Sequence, residues 1–465
     1  MLRRNVERIP VMKSWLRATR PLISKSWPLK MPADPDDIAD VVLGQFKKLP
    51  TKRRPQVRDN GLHEWVPLSG IVAEKDGVLT CLSLATGMKC LPANKLPLAK
   101  GNALHDWHAE VLAIRAFNRY LLDECDTHSQ GISLTSDIIT RRPPSTISPS
   151  SPQPFAIRDG VTLHMYCSEA PCGDASMELT MAAQEDASPW DVPPPPSSPV
   201  PSGVTPPSAP APQTTDTTPL PGRAYFSHLG IVRRKPARGD APPTASKSCS
   251  DKLALKQCTS LLASLTSLLI HPRNAYISSV ILPESEYSAT GCERAFSERG
   301  RMKAVAAGEA AGWRGGYRFS PFEVRTTSRE FEFSKRRVRG KAGAEKIAAS
   351  NLAAVWTRGG GVDEGTMGGV LQGRKAFDVR GASLVSRRRM WELAAAVAER
   401  MAGEEEGGED DEVRSLLWRA LDVDAYGKVK GGELLACRRE VKEAARKVAL
   451  AGWVVNVGDE EFARL

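Results

Sequence analysis

His105–Arg115 reads HDWHAEVLAIR, and the rest of the chain is understood from it. His108 and Glu110 stand two residues apart, and an apolar helical pattern starts directly behind them. The periodicity predicts a helix from about Ala109 to Leu122. Glu110 then falls in the first helical turn, where the helix dipole favours a carboxylate. A neutral imidazole is a good zinc ligand, but a catalytic zinc takes three protein ligands. His108 alone does not make a site.

A second segment has the same strand–turn–helix character. VTLHMYCS (161–168) is expected to be a buried strand, and EAPCGDASMELTMAAQ (169–184) a turn entering a helix. Cys172 lies at that helix entrance, where exposed N–H groups favour a thiolate. His-x-Glu followed by Pro-Cys is the pattern of zinc-dependent nucleobase deaminases. That pattern wants a second Cys two residues after the next one, and position 175 is Ala175.

The third ligand comes with a resemblance. SCSDKLA (Ser248–Ala254) is similar to a motif of the adenosine deaminases that act on RNA, in which a separate Ser-Cys-Ser-Asp-Lys segment carries the final Cys. The order HAE, PCGDAS, SCSDK covers the resemblance, with EWVPLSGIV, TGMKC and GNALHDWHAE resembling the tRNA-specific branch, its fungal members in particular. The resemblance implies zinc on His108, Cys172 and Cys249, with Glu110 as general acid/base. It implies hydrolysis of adenosine to inosine, at the position 3′ of the anticodon (position 37) of alanine tRNA. It also implies a buried inositol hexakisphosphate contacted by Arg115, Lys252, Lys442 and Trp453, with Lys375 and Lys430 as weaker matches. Asp106 and Lys252 match a relay between metal and phosphate. Leu255 and Asn456 depart from the family, which has Arg and Lys there. Rival readings are an editor of mRNA or double-stranded RNA, a catalytically silent RNA-binding protein with structural zinc, and a cytidine or free-nucleoside deaminase. The first expects double-stranded-RNA-binding repeats, which the sequence does not display. The second has no need of Glu110. Cys249 as third ligand disfavours the last.

The bulk properties agree. The 465 residues carry a net charge of +10, which suits a polyanionic partner. Nine cysteines without a spacing framework suggest reduced thiols. No run of about 18 apolar residues suggests a membrane helix. A cytoplasmic or nuclear location and no obligate protein partner are expected. Residues 1–30 have eight Lys/Arg against one Glu. They read as an organellar, for instance mitochondrial, presequence or, in the favoured reading, as an extension ahead of a true start at Met31.

The deaminase domain is expected over 36–465, as an α/β fold with a central mixed sheet, helices on both faces and an enlarging C-terminal half. A helix is expected over DDIADVVLGQFKKL, strands over Leu68–Ala73 and Val78–Leu84, a helical run over 253–270, a strand over 274–283 and a basic helix over 442–455. Residues 138–160 and 183–247 are rich in Pro and Ser and are expected to be disordered insertions. The acidic stretch 403–412 is expected to be a solvated loop. RNA contacts are expected from Lys89, in the loop Thr86–Lys89, and from Lys335, Arg336 and Arg337 in FSKRRVRGK, with Arg387–Arg389 second. DVDAYGKVKGGE (422–433) has calcium-loop spacing, but Tyr426, Lys428 and Lys430 oppose a cation. Cys167 reads as a core thiol and His105 as a supporting or surface group.

Overall fold

The computed structural model describes residues 33–132, 136–183, 220–221, 228–235, 242–403 and 409–464. The presequence-like segment 1–30 lies outside them. From Asp34 onward the chain forms one unit. Its centre is an eight-stranded mixed sheet. The strands are β1 (Leu68–Lys75), β2 (Val78–Thr86), β3 (Thr162–Cys167), β4 (Ile277–Pro283), β5 (Glu323–Thr327), β6 (Leu352–Thr357), β7 (Asp363–Met367) and β8 (Val370–Leu371). Their spatial order is β5-β4-β3-β1-β2-β6-β7-β8. β5, β4 and β3 run parallel, and every later neighbour is antiparallel.

Helices cover both faces, and strand alternation shows why. Gly70 of β1 faces helix α1 (Pro35–Lys47), so closely that a Cβ would stand 2.7 Å from Val42. The next position, Ile71, shares its face with Ser83. The Ser83 hydroxyl donates to the Ala113 carbonyl of helix α2 (Ala109–Ser129) at 3.0 Å. Neighbouring residues on one strand thus meet helices on opposite sides. The C-terminal half adds α3 (Cys249–Thr259), α4 (Lys335–Ala342), α5 (Arg387–Ala402), α6 (Glu409–Leu421) and α7 (Ala436–Val448).

Several expectations change. Residues 138–160 are ordered: Ile139–Arg141 and Phe155–Ile157 pair antiparallel, and the second also pairs with Ile270–His271. Ile138, Ile139, Phe155 and Ile157 are buried, supplying the apolar anchor that the Pro and Ser count concealed. In the second supposed insertion, residues 228–235 and 242–247 are placed, with Val232, Arg233, Lys235 and Lys247 buried; 184–219, 222–227 and 236–241 lie outside the described residues. Residues 409–412 open helix α6, so the acidic stretch is not wholly a loop; 404–408 are not described. The apolar run from Leu253 does not continue as one helix. α3 stops before Ser260, whose φ of 58° is left-handed. The calcium-like spacing falls on a short helix, Tyr426–Gly431.

The C-terminal segment locks the fold. Phe462 stacks on Tyr426 at 5.0 Å and meets Trp391 edge-on at 6.0 Å. It also lies on Gly101, where a Cβ would come within 2.3 Å of the ring. Phe462→Ala should therefore cost about 3 kcal/mol, at the low end for a buried aromatic, seen as a lower urea midpoint with an unchanged slope.

Candidate active site

Two turns and a helix end build the site. His108 is the N-cap of α2 and Glu110 lies in its first turn, buried. The turn is held by Gly87, at φ 141°, where a Cβ would stand 2.1 Å from the Trp107 carbonyl oxygen. Gly87 in turn accepts the Ala109 N–H at 2.9 Å. No residue with a side chain fits that position without moving the turn that carries His108.

Cys172 follows β3 and meets Cys249 at the start of α3. The Cys249 backbone N–H donates to Cys172 Sγ at 3.3 Å. The approach requires Gly173, at φ 107°, since a Cβ there would be 2.3 Å from the Ser248 hydroxyl. Ser250 bridges the segments, donating to the Pro171 carbonyl at 2.9 Å and accepting the Ala175 N–H at 3.1 Å. Ser248 caps α3 through the Asp251 N–H, and Asp251 pairs with Arg301 at 2.6 Å. Asp174 is fixed by Arg294 at 3.1 Å.

The imidazole of His108 and the thiol of Cys249 lie beside the Cys172 sulfur. The Cys249 thiol, with Lys235 and His108 nearby, holds Cys172 well below the usual thiol range. The structure thus brings His108, Cys172 and Cys249 together. Their donors, one imidazole and two sulfurs, suit a three-ligand zinc site. The tighter grouping of donor atoms is a different one that shares His108: one atom from each of Cys90, Asp106 and His108 lies within 4.8 Å of the others. Cys90 Sγ is 3.6 Å from His108 Nδ1. Asp106 is already engaged, however. Its carboxylate accepts from Lys235 Nζ at 2.9 Å, from the Ser246 hydroxyl at 2.5 Å and from Lys252 Nζ. It also contacts His108 Nδ1 at 3.0 Å. An acceptor so saturated orients the imidazole instead of competing for an ion.

Burial and the neighbouring Cys172 push the Glu110 carboxyl above its ordinary value. Burial also opposes charge on Lys235, but Asp106, Cys249 and Cys172 outweigh it and hold the ammonium well above its usual range. Lys235 Nζ reaches Cys249 Sγ at 3.2 Å. The sequence reading missed this residue because it lies in VRRKPARGD, inside a stretch taken as disordered. His105 is no surface group: it is buried, with Nε2 2.7 Å from Asp459. Cys167 is buried, and its thiol is pushed up by burial.

The residues expected around a phosphate form a basic cluster. Burial depresses Lys442 to about 7, with Arg446, Arg438, Lys430 and Arg387 adding repulsion. Lys247 falls to about 7 through burial, Lys252 and Arg446. Arg115 falls to about 10 through burial and Arg387. Lys430 and Lys256 are lowered by burial and then by cationic neighbours. Lys247 and Arg446 sit 5.4 and 5.0 Å from the Trp453 ring centre. Arg446 Nε and Asn456 Oδ1 are buried with no hydrogen-bond partner among the described residues. Cations that depress one another while a buried donor stays unsatisfied form a cradle for an anion. Lys375 is not brought there; it is exposed. Leu255 packs in the core.

On the surface, Lys335 opens α4, its ammonium 5.6 Å from the Trp65 ring centre and its N–H on Glu169 at 2.8 Å. Arg336 and Arg337 pair with Glu330. Lys89 bonds to Asn351. Arg387–Arg389 are also engaged within the fold. Arg387 binds Asp459 at 3.2 Å, Arg388 binds Asn102 at 2.8 Å, and Arg389 binds Glu392 at 3.0 Å.

Comparison with known proteins follows this geometry. The adenosine-deaminase (editase) domain family matches residues 83–456. The tRNA-specific adenosine deaminase 1 of Schizosaccharomyces pombe is 33% identical over 431 residues, covering 91% of this chain and 95% of that protein. Its namesake in Saccharomyces cerevisiae is 32% identical over 288 residues, covering 58% of this chain and 64% of that protein. Lys235→Met would leave Asp106 undercompensated. We expect a loss of about 3 kcal/mol in urea unfolding and a fall in turnover of about tenfold or more.

Proposed function

The chain belongs to the adenosine-deaminase (editase) family, and from that premise we propose that it converts adenosine to inosine in tRNA, with zinc, at the adenosine 3′ of the anticodon of alanine tRNA. The observation that carries this reading is the meeting of His108, Cys172 and Cys249 beside the buried Glu110. The names of the two fungal relatives support tRNA as substrate.

His108, Cys172 and Cys249 would hold the ion. Bound there, zinc acidifies a water so that it is nucleophilic at neutral pH. Glu110 takes the proton of that water, delivers it to adenine N1 and then assists departure of the exocyclic nitrogen as ammonia. Its raised pKa suits a carboxyl that must both hold and release a proton. Asp106 and Lys235 fix the imidazole and the Cys249 sulfur. The target base must leave its stack to reach Glu110. Lys89, Lys335, Arg336 and Arg337 bind phosphates around it. Arg115, Lys252, Lys442 and Trp453, with Lys430, hold inositol hexakisphosphate in the basic cradle.

The decisive experiment incubates purified protein with unmodified alanine tRNA and sequences the product. Inosine should form 3′ of the anticodon. Glu110→Ala should retain bound zinc and lose at least about a hundredfold in turnover. A folded, zinc-loaded protein that makes no inosine would overturn the reading.

The cradle has its own signature. Lys247 and Lys442, at about 7 in the fold, titrate near 10.4 when unfolded. Between those values the unfolded chain binds more protons, so stability without the anion rises as pH climbs from about 7 to about 10. Inositol hexakisphosphate should raise the melting temperature most near pH 7 and flatten that rise.

A further inference from the structure

Residues 41–58 carry six Lys/Arg and no Asp or Glu. The arginines among them serve the fold. Arg54 folds the segment back on the end of α1, donating from Nε to the Leu49 carbonyl at 2.9 Å and also to that of Lys47. Arg53 donates to the Asp363 carbonyl at 3.0 Å. Arg58 bonds to Glu64 at 2.9 Å and to the Ala349 carbonyl at 3.0 Å. The lysines do not. Lys47, Lys48 and Lys52 are exposed, and among the described residues no carboxylate lies within ion-pair distance of them. The fold-back made by Arg54 ties residue 54 to the carbonyls of Lys47 and Leu49, so the three lysines stand on one short reversed segment.

That segment is linked to the catalytic turn. Gly87 holds the start of α2, and Lys89, two residues on, bonds to Asn351. Ser350 hydrogen-bonds to the Trp65 carbonyl at 2.9 Å and to Glu64. Glu64 and Ala349 hold Arg58, and Arg58 leads into the fold-back. On the other flank, α4 packs its Lys335 on Trp65. The parallel pair His63–Trp65 and Ile347–Ala349 therefore touches both Arg58 and Lys335.

We propose that Lys47, Lys48 and Lys52 form a second phosphate-binding surface that grips a helical arm of the RNA substrate outside the loop bearing the reactive adenosine. This rests on the reading of tRNA as substrate. The chemistry is that of a mobile ammonium cluster against a phosphate backbone, strong in sum and dependent on salt. The lysine side chains have no ion-pair partner to lose, and Lys47 and Lys48 serve the fold only through the dipole at the C-terminus of α1, so their replacement leaves the fold assembled.

The test compares the full chain with its Lys47→Glu/Lys48→Glu/Lys52→Glu variant on two substrates, whole tRNA and the isolated anticodon stem-loop. For whole tRNA we expect KM to rise about tenfold or more, kcat to hold, and the dependence of log KM on log salt to flatten by up to about three. For the stem-loop KM should stay, and the melting temperature of the protein should fall by no more than about 4 °C. An unchanged KM and salt slope on whole tRNA overturns the proposal. Equal losses on both substrates overturn it too, since the lysines would then act at the loop or on the fold. Salt-dependent tRNA binding that the variant loses, from a protein that forms no inosine, would sustain the surface and sink the deaminase reading.

Discussion

The structure depends on one buried carboxylate. Asp106 sits four residues ahead of Glu110 and accepts from two ammonium groups, a hydroxyl and an imidazole. Each partner comes from a different part of the chain. His108 begins α2, Lys252 lies on the helix that carries Cys249, and Lys235 and Ser246 come from either side of residues 236–241. Burial raises the pKa of Asp106, but Lys235 and Lys252 more than reverse it and hold the carboxyl well below its usual range. A buried charge so compensated tolerates no partial version: removing one partner leaves the others uncompensated. The site is therefore assembled together with the C-terminal half or not at all.

The second constraint is steric. Cys172 and Cys249 are 77 positions apart, yet their segments meet at van der Waals distance because Gly173 has no side chain. Once that contact and the Ser250 bridges exist, the length of chain between them matters little. Loop-closure entropy grows only with the logarithm of length, about 0.6 kcal/mol per doubling. This is how the meeting of Cys172 and Cys249 accommodates a Pro-rich stretch between them without losing its geometry.

Much of this was legible in the sequence, and the exceptions share a cause. α2, β1, β2, β3 and β4 follow from periodicity, because their apolar patterns face a core that the pattern itself describes. The positions of His108, Glu110 and Cys172 follow from motif spacing. Lys235 and the strand pair at 139–157 did not, because Pro and Ser content dominates a composition window while a few residues, Ile139, Phe155 and Val232, decide whether it is buried. The partners of Arg387 and Arg388 were hidden for a related reason: Asp459 and Asn102, 72 and 286 positions away, draw the two arginines into the fold. His105 was obscured likewise, since Asp459 is 354 residues distant.

The positive charge of this chain is divided between two physically different settings. In the cradle of Arg115, Lys247, Lys256, Lys442 and Arg446 the cations are withdrawn from water and repel one another, so each is driven towards neutrality. Salt does less there, because these side chains are partly or wholly withdrawn from solvent. Lys47, Lys48 and Lys52 stand in solvent, where charges are screened beyond about 8 to 10 Å at physiological ionic strength. In the first setting a bound anion would restore the charge that burial opposes. The second suits an anion that arrives and leaves, since the cost of holding an exposed lysine ready is small. Ionic strength therefore separates the two: it weakens the hold on a passing polyanion and leaves the buried cradle almost untouched.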